Sequence, residues 1–107
     1  MNRSLSIAAL VLALASESNA GDLVIGGTIT KVANTSDNGT SFSILVTGGT
    51  SSLCSSWITF PLSAAADADT HKRAYAAALL ALSTATPVRV HNYLGNNCNT
   101  ASYLEVG

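Results

Sequence analysis

The stretch Asp69-Thr-His-Lys-Arg-Ala-Tyr-Ala-Ala-Ala-Leu-Leu-Ala-Leu-Ser-Thr84 constrains the fold more than any other. It is rich in alanine and leucine and free of glycine and proline, the composition of a helix. Beyond the first twenty residues, no other stretch reads as a helix. Three strand-like segments precede it and two follow, so a small, mainly β domain with one inserted helix is expected.

The segments before the helix carry the marks of strands. Leu23–Val32 is rich in β-branched residues, and its Gly26-Gly27 pair predicts a bulge, a sharp bend or a close backbone approach. Asn34–Gly39 is dense in turn formers and ends on Asn38-Gly39, a hairpin signal. Asn34-Thr-Ser and Asn38-Gly-Thr also match the glycosylation triplet, and we assign both to turn chemistry. Ser41–Thr47 alternates Phe42, Ile44 and Val46 with Ser41, Ser43 and Leu45, as a half-buried strand does. Ser56–Phe60 is a third strand, stopped by Pro61. After the helix come Pro87–Tyr93, alternating Val88 and Val90 with Arg89 and His91, and Ala101–Val106.

The N-terminus reads as an export signal. Arg3 supplies positive charge, Ile7–Ala15 forms an apolar run, and Ser18-Asn19-Ala20 offers small residues for cleavage after Ala20. The run is too short to span a bilayer of about 30 Å as a helix. The alternative is a buried first helix, which nothing in the sequence caps. On the export reading, residues 1–20 are a cleaved signal peptide. Gly21–Gly107 is then one soluble domain, periplasmic or secreted, with no membrane span.

The remaining charges nearly cancel: Lys31, Lys72, Arg73 and Arg89 against Asp22, Asp37, Asp67, Asp69 and Glu105. Without a basic patch, phosphate contacts cannot drive nucleic-acid binding. Cys54 and Cys98 form an even pair in an exported chain and predict a disulfide. The rival reading, a metal or nucleophilic thiol, lacks the second closely spaced ligand pair of a zinc site. No cofactor and no metal are expected.

On the helix, Asp67 or Asp69 is placed to cap the N-terminus, with Ser63 as an earlier alternative. His71, Tyr75, Ala78, Leu79 and Leu82 recur at helical spacing and predict the core-facing stripe. Behind them lie Ala76, Ala77, Leu80 and Ala81, in a stretch without charge from Ala74 to Val88. That back face is either an oligomer interface, centred on Ala76, Ala77 and Leu80, or an alanine-rich exposed surface.

The order β-β-β-α-β-β in one small domain matches the OB-fold, a five-stranded Greek-key barrel. There the third and fifth strands run parallel as neighbours. Cys54 and Cys98 precede those two strands, at one barrel end, where a disulfide would close. No catalytic constellation stands out: two histidines, no Gly-x-Ser-x-Gly and no phosphate-cradling loop. Asp67 and Asp69 suit helix capping better than acid–base work. The chain is therefore not expected to be an enzyme.

The motifs Gly27 to Ile29, Phe42 to Ile44, Cys54, Trp57, Tyr75 to Leu79 and Pro87 to Val90 together resemble the B subunits of pertussis-like AB5 toxins, of the subtilase cytotoxin and typhoid toxin kind. The resemblance implies a homopentamer with helices lining a pore, an A-type subunit as partner, and sialylated glycans bound on the barrel side. Carried onto this chain, the glycan site falls at Asp22, Gly26, Asn92 and Tyr93. Gly26 stands where the family has a sialate-binding serine, Asn92 where it has a tyrosine, and Ser43 where it has a second-strand cysteine. The alternative function is an exported structural or protein-interaction module of the same fold, without sugar binding.

Overall fold

A computed structural model describes residues 21–34, 40–50, 53–54 and 56–107. The export signal of residues 1–20 and the Asn38-Gly39 turn lie outside these residues. Five strands and one long helix follow in order: β1 (Gly21–Asn34), β2 (Ser41–Thr47), β3 (Trp57–Pro61), a short 3-10 turn (Leu62–Ala64), α1 (Ala68–Thr84), β4 (Val88–Asn92) and β5 (Tyr103–Val106). The strands form one antiparallel sheet in the order β3-β2-β1-β4-β5. Pro61 closes β3 from within, pairing with Ser41.

β1 is long because two neighbours share it. Gly21–Gly27 pairs with β4, and Thr28–Asn34 pairs with β2. The changeover falls at the glycine pair, where the register with β4 shifts between Ile25 and Gly27. The two glycines serve different needs. Gly26 adopts φ +72°, a left-handed conformation costly to residues with a Cβ, while the space around it is open. At Gly27 the constraint is room, since an added Cβ would collide with the side chains of Val24 and Val46. Bulge and close approach, read as alternatives in sequence, are both present.

Inward-facing residues of every layer meet in one core. Leu23, Val24 and Ile29 of β1 join Phe42, Ile44 and Val46 of β2, Ile58 and Phe60 of β3, and Val88 and Val90 of β4. Phe42 and Phe60 stack at 4.7 Å between centroids, and Tyr75 meets Phe42 edge-on at 5.2 Å. Each buried aromatic or aliphatic side chain contributes roughly 1.5–3 kcal/mol relative to exposure, so this cluster is the main driving force for folding.

Asp67 caps α1 by accepting the Thr70 backbone N–H at 2.7 Å, and Ala85 ends it in the left-handed region at φ +55°. The helix is rotated from the expected stripe. Ala78 and Ala81 are fully buried, with Ala74 and Tyr75 packed alongside, whereas Leu79 is 42 % exposed and Leu82 37 %. Alanine at the contact line lets the helix backbone approach the sheet closely, and the leucines flank the contact. Ala81, expected on the back, belongs to the core. His71 pins the other end: its Nε2 lies 2.8 Å from the Phe60 carbonyl oxygen, which can only accept, so Nε2 carries the proton.

Cys54 and Cys98 form a disulfide with Cα atoms 5.9 Å apart, as their placement before β3 and β5 led us to expect. Beside it, Thr59 of β3 donates its N–H to Cys98 O (2.9 Å) and accepts from Ala101 N–H (3.1 Å). The chain entering β5 therefore lies along the outer edge of β3. Among the described residues, no helix is long and apolar enough to cross a membrane.

Candidate functional site

Alternation along β4 buries Val88, Val90 and Asn92 and turns Arg89 and His91 to the opposite face. Register then brings their neighbours. Asp22 of β1 is paired with His91, Tyr103 of β5 is paired with His91 from the other side, and Glu105 is paired with Arg89. With Tyr93 added just past the strand end, six side chains from β1, β4 and β5 thus share one patch.

Asp22 is the electrostatic centre. Its Oδ1 accepts from His91 Nδ1 (2.7 Å), Arg89 Nε (3.0 Å) and Arg89 Nη2 (2.8 Å). The His91 hydrogen bond above all, helped by the Arg89 guanidinium, holds the carboxyl below its ordinary value near 3.8, although burial, the second-largest effect, pushes the other way. A carboxylate can only accept, so His91 Nδ1 carries a proton and Nε2 is left with no protein partner among the described residues. Arg89 also reaches Glu105 Oε1 at 3.3 Å, and the Tyr103 hydroxyl donates to the same oxygen at 3.3 Å. The negative charge of Glu105 raises the Tyr103 phenol.

The aromatic rings complete the patch. His91 meets Tyr93 edge-on at 4.7 Å, Tyr103 lies 6.2 Å from Tyr93, and the Arg89 guanidinium sits 5.8 Å from the Tyr103 centroid. Tyr93 is 61 % exposed, so its ring offers both an apolar surface and a hydroxyl to solvent. Ion pairs hold the polar groups in place from beneath. The patch can stack against a ring and exchange directed hydrogen bonds with it.

Of the four residues carried over from the resemblance, the structure joins Asp22 and Tyr93 through His91. Gly26 is exposed at the bulge, between the positions paired with Arg89 and Val88. Asn92 requires a correction, because it is fully buried on the core side. Its Nδ2 donates to Asn97 O (2.6 Å) and Thr100 Oγ1 (2.8 Å), and its Oδ1 accepts from Leu94 N–H (2.8 Å). A buried amide must satisfy its own polar atoms, and this one does so by shaping the loop to β5. It has no surface left for a ligand. Arg89, His91, Tyr103 and Glu105 were missed as site residues. The signal available was the alternation that puts Arg89 with His91, and Tyr103 with Glu105, on one face of each strand.

On α1, Ala76 and Leu80 are exposed, Leu80 by 57 %, while Ala77 faces a groove shared with β5. Among the described residues, no group of three or more His, Cys, Asp or Glu side chains is placed to hold a metal.

Searches of curated proteins and of solved structures find no match to the chain. A family model covers it almost from end to end, matching residues 4–107. The chain belongs to that family, described as a family of unknown function (DUF5992).

Proposed function

We propose that this chain is an exported carbohydrate-binding module whose site is the Asp22–Arg89–His91–Tyr93–Tyr103–Glu105 patch. The observation that carries the reading is the exposed Tyr93 ring held edge-on against His91, itself fixed by Asp22. Sugars bind through apolar ring faces on aromatic side chains and through hydroxyls on charged acceptors and donors. Tyr93 supplies the first, while Asp22, Glu105 and the free His91 Nε2 supply the second. Two carboxylates stand against one arginine that they already engage. Neutral sugars therefore suit the patch better than sialylated ones, and Gly26 offers no hydroxyl for a sialate.

The OB-fold is part of the same proposal. Hydrogen bonds from Thr59 to Cys98 and Ala101, beside the disulfide, support closure of the sheet into a barrel between β3 and the approach to β5. A disulfide suits an oxidising compartment and supports export. Exposed Leu80, Leu79 and Ala76 support assembly of several copies through α1, which would raise the avidity of a weak sugar site.

A glycan array probed with oxidised Gly21–Gly107 tests the reading. Binding to neutral glycans, lost in Tyr93→Ala, is the expected result. Silence across neutral and sialylated glycans would leave a structural or protein-interaction module as the function. Native mass spectrometry of the same material reads the oligomeric state, and a clean monomer would remove α1 as an assembly face.

A further inference from the structure

β5 ends the strand order, and its outer edge has no ladder partner among the described residues. Gly107 N–H donates to Pro87 O, and the register runs Val88↔Val106 to His91↔Tyr103. In an antiparallel ladder the hydrogen-bonded pairs recur every second residue, so Tyr103 and Glu105 direct their backbone groups at β4. Leu104 and Val106 direct their N–H and C=O groups outward. An edge of this kind is a template for another strand.

What lies beside the edge is a groove of about 270 Å³, walled on the far side by Thr70, Arg73, Ala74 and Ala77 of α1. These four fall at i, i+3, i+4 and i+7, so one helical stripe faces Ser102, Tyr103 and Leu104 across the groove. Two alanines in the middle leave room that larger side chains would fill. Ser102 at the groove's end has a buried Oγ with no hydrogen-bond partner, a polar group awaiting one. Arg73 donates only to Thr70 Oγ1, at 3.1 Å, and forms no ion pair among the described residues.

We propose that this groove takes an extended acidic peptide of a partner protein, added to β5 as a further strand. Backbone groups of Leu104 and Val106 supply the register, the Ala74–Ala77 gap takes a modest apolar side chain, and Arg73 selects a carboxylate. The groove is small for a cofactor or drug-sized ligand, and its open edge favours a backbone. The groove adjoins the sugar patch at Tyr103, which lines both, while the rest of that patch lies on the sheet face around His91.

The probe is a capped heptapeptide alternating valine and threonine around a central glutamate, with a lysine version and a backbone N-methylated version as controls. Titration calorimetry and amide hydrogen exchange are read together. The glutamate peptide is expected to bind and to slow exchange at Leu104 and Val106. Replacing Arg73→Glu should weaken it about tenfold or more, the size of one lost charged hydrogen bond, and shift preference to the lysine peptide. Ala77→Leu fills the groove and should abolish binding of both. No binding, equal binding by the N-methylated peptide, or an unchanged affinity in Arg73→Glu overturns the proposal. Slowed exchange at Leu104 and Val106 without peptide, growing with protein concentration, also overturns it, because the edge would then pair with a second copy.

Discussion

The Cys54–Cys98 disulfide closes a loop over a sequence separation of 44 residues, and its removal tests how this small domain is held together. In the chain-entropy model the cross-link removes 2.1 + 1.5R ln n of entropy from the unfolded chain, about 13 cal/mol/K for this loop. At 25 °C that is about 4 kcal/mol, against a total of roughly 5–15 kcal/mol for a domain. With a guanidinium m-value of roughly 2 kcal/mol/M, breaking the bond should lower the unfolding midpoint by about 2 M. The assay compares oxidised protein, the same protein in dithiothreitol, and a Cys54→Ala, Cys98→Ala double variant. Reduction keeps both sulfur atoms in place, so it isolates the cross-link. The double variant also loses the packing of buried Cys54 and should fall roughly 1 kcal/mol further. Amide exchange at Thr59 and Ala101 then separates two mechanisms. If the bond acts on the unfolded chain, these amides stay as protected as the core, scaled to the new global stability. If it holds the β5 approach against β3, they open first. A midpoint shift below about 0.3 M with an unchanged m-value would refute the reasoning.

Three further outcomes follow from the packing and charges. Asn92→Ala should cost about 3 kcal/mol in chemical denaturation, since it removes three hydrogen bonds and leaves the partners of a buried amide unpaired. Ala81→Leu should destabilise by roughly 1–3 kcal/mol through overpacking, whereas Leu80→Gln should leave monomer stability within about 0.5 kcal/mol; the reverse order would show that the helix faces are wrongly assigned. Asp22 has a lowered folded carboxyl pKa, so its contribution is present above the ordinary value near 3.8 and is lost as pH falls through the folded value. Denaturation midpoints from pH 6 to pH 2 should therefore drop less steeply in Asp22→Asn, and parallel curves for both proteins would exclude a stabilising role for this carboxylate.

Much of the fold was legible because it rests on local pattern. Period-two alternation located β2 and β4, and alanine-rich composition with an acidic cap marked α1. The cysteines could be paired from their positions ahead of β3 and β5. At Gly26 and Gly27 the need for glycine was visible, though not that one answers to dihedral angle and the other to space.

The candidate site was only partly legible. Asp22 and Tyr93 entered through the resemblance, while the residues that join them did not. Asp22 and His91 lie far apart in the chain, and their contact depends on the β1–β4 register, which the bulges in β1 reset. A one-residue slip would turn Asp22 away from His91. Asn92 was misplaced for a different reason: the β4 alternation already puts it on the buried face of Val88 and Val90. The helix was also located correctly but rotated wrongly, because hydropathy ranks leucine above alanine at a contact where close approach favours the smaller side chain. By itself the sequence determined which segments are strands and helix and which cysteines pair, since each is a matter of residue type and local spacing. Only the tertiary structure decided which residues share a face across strands, because that depends on register and on the distance between packed elements.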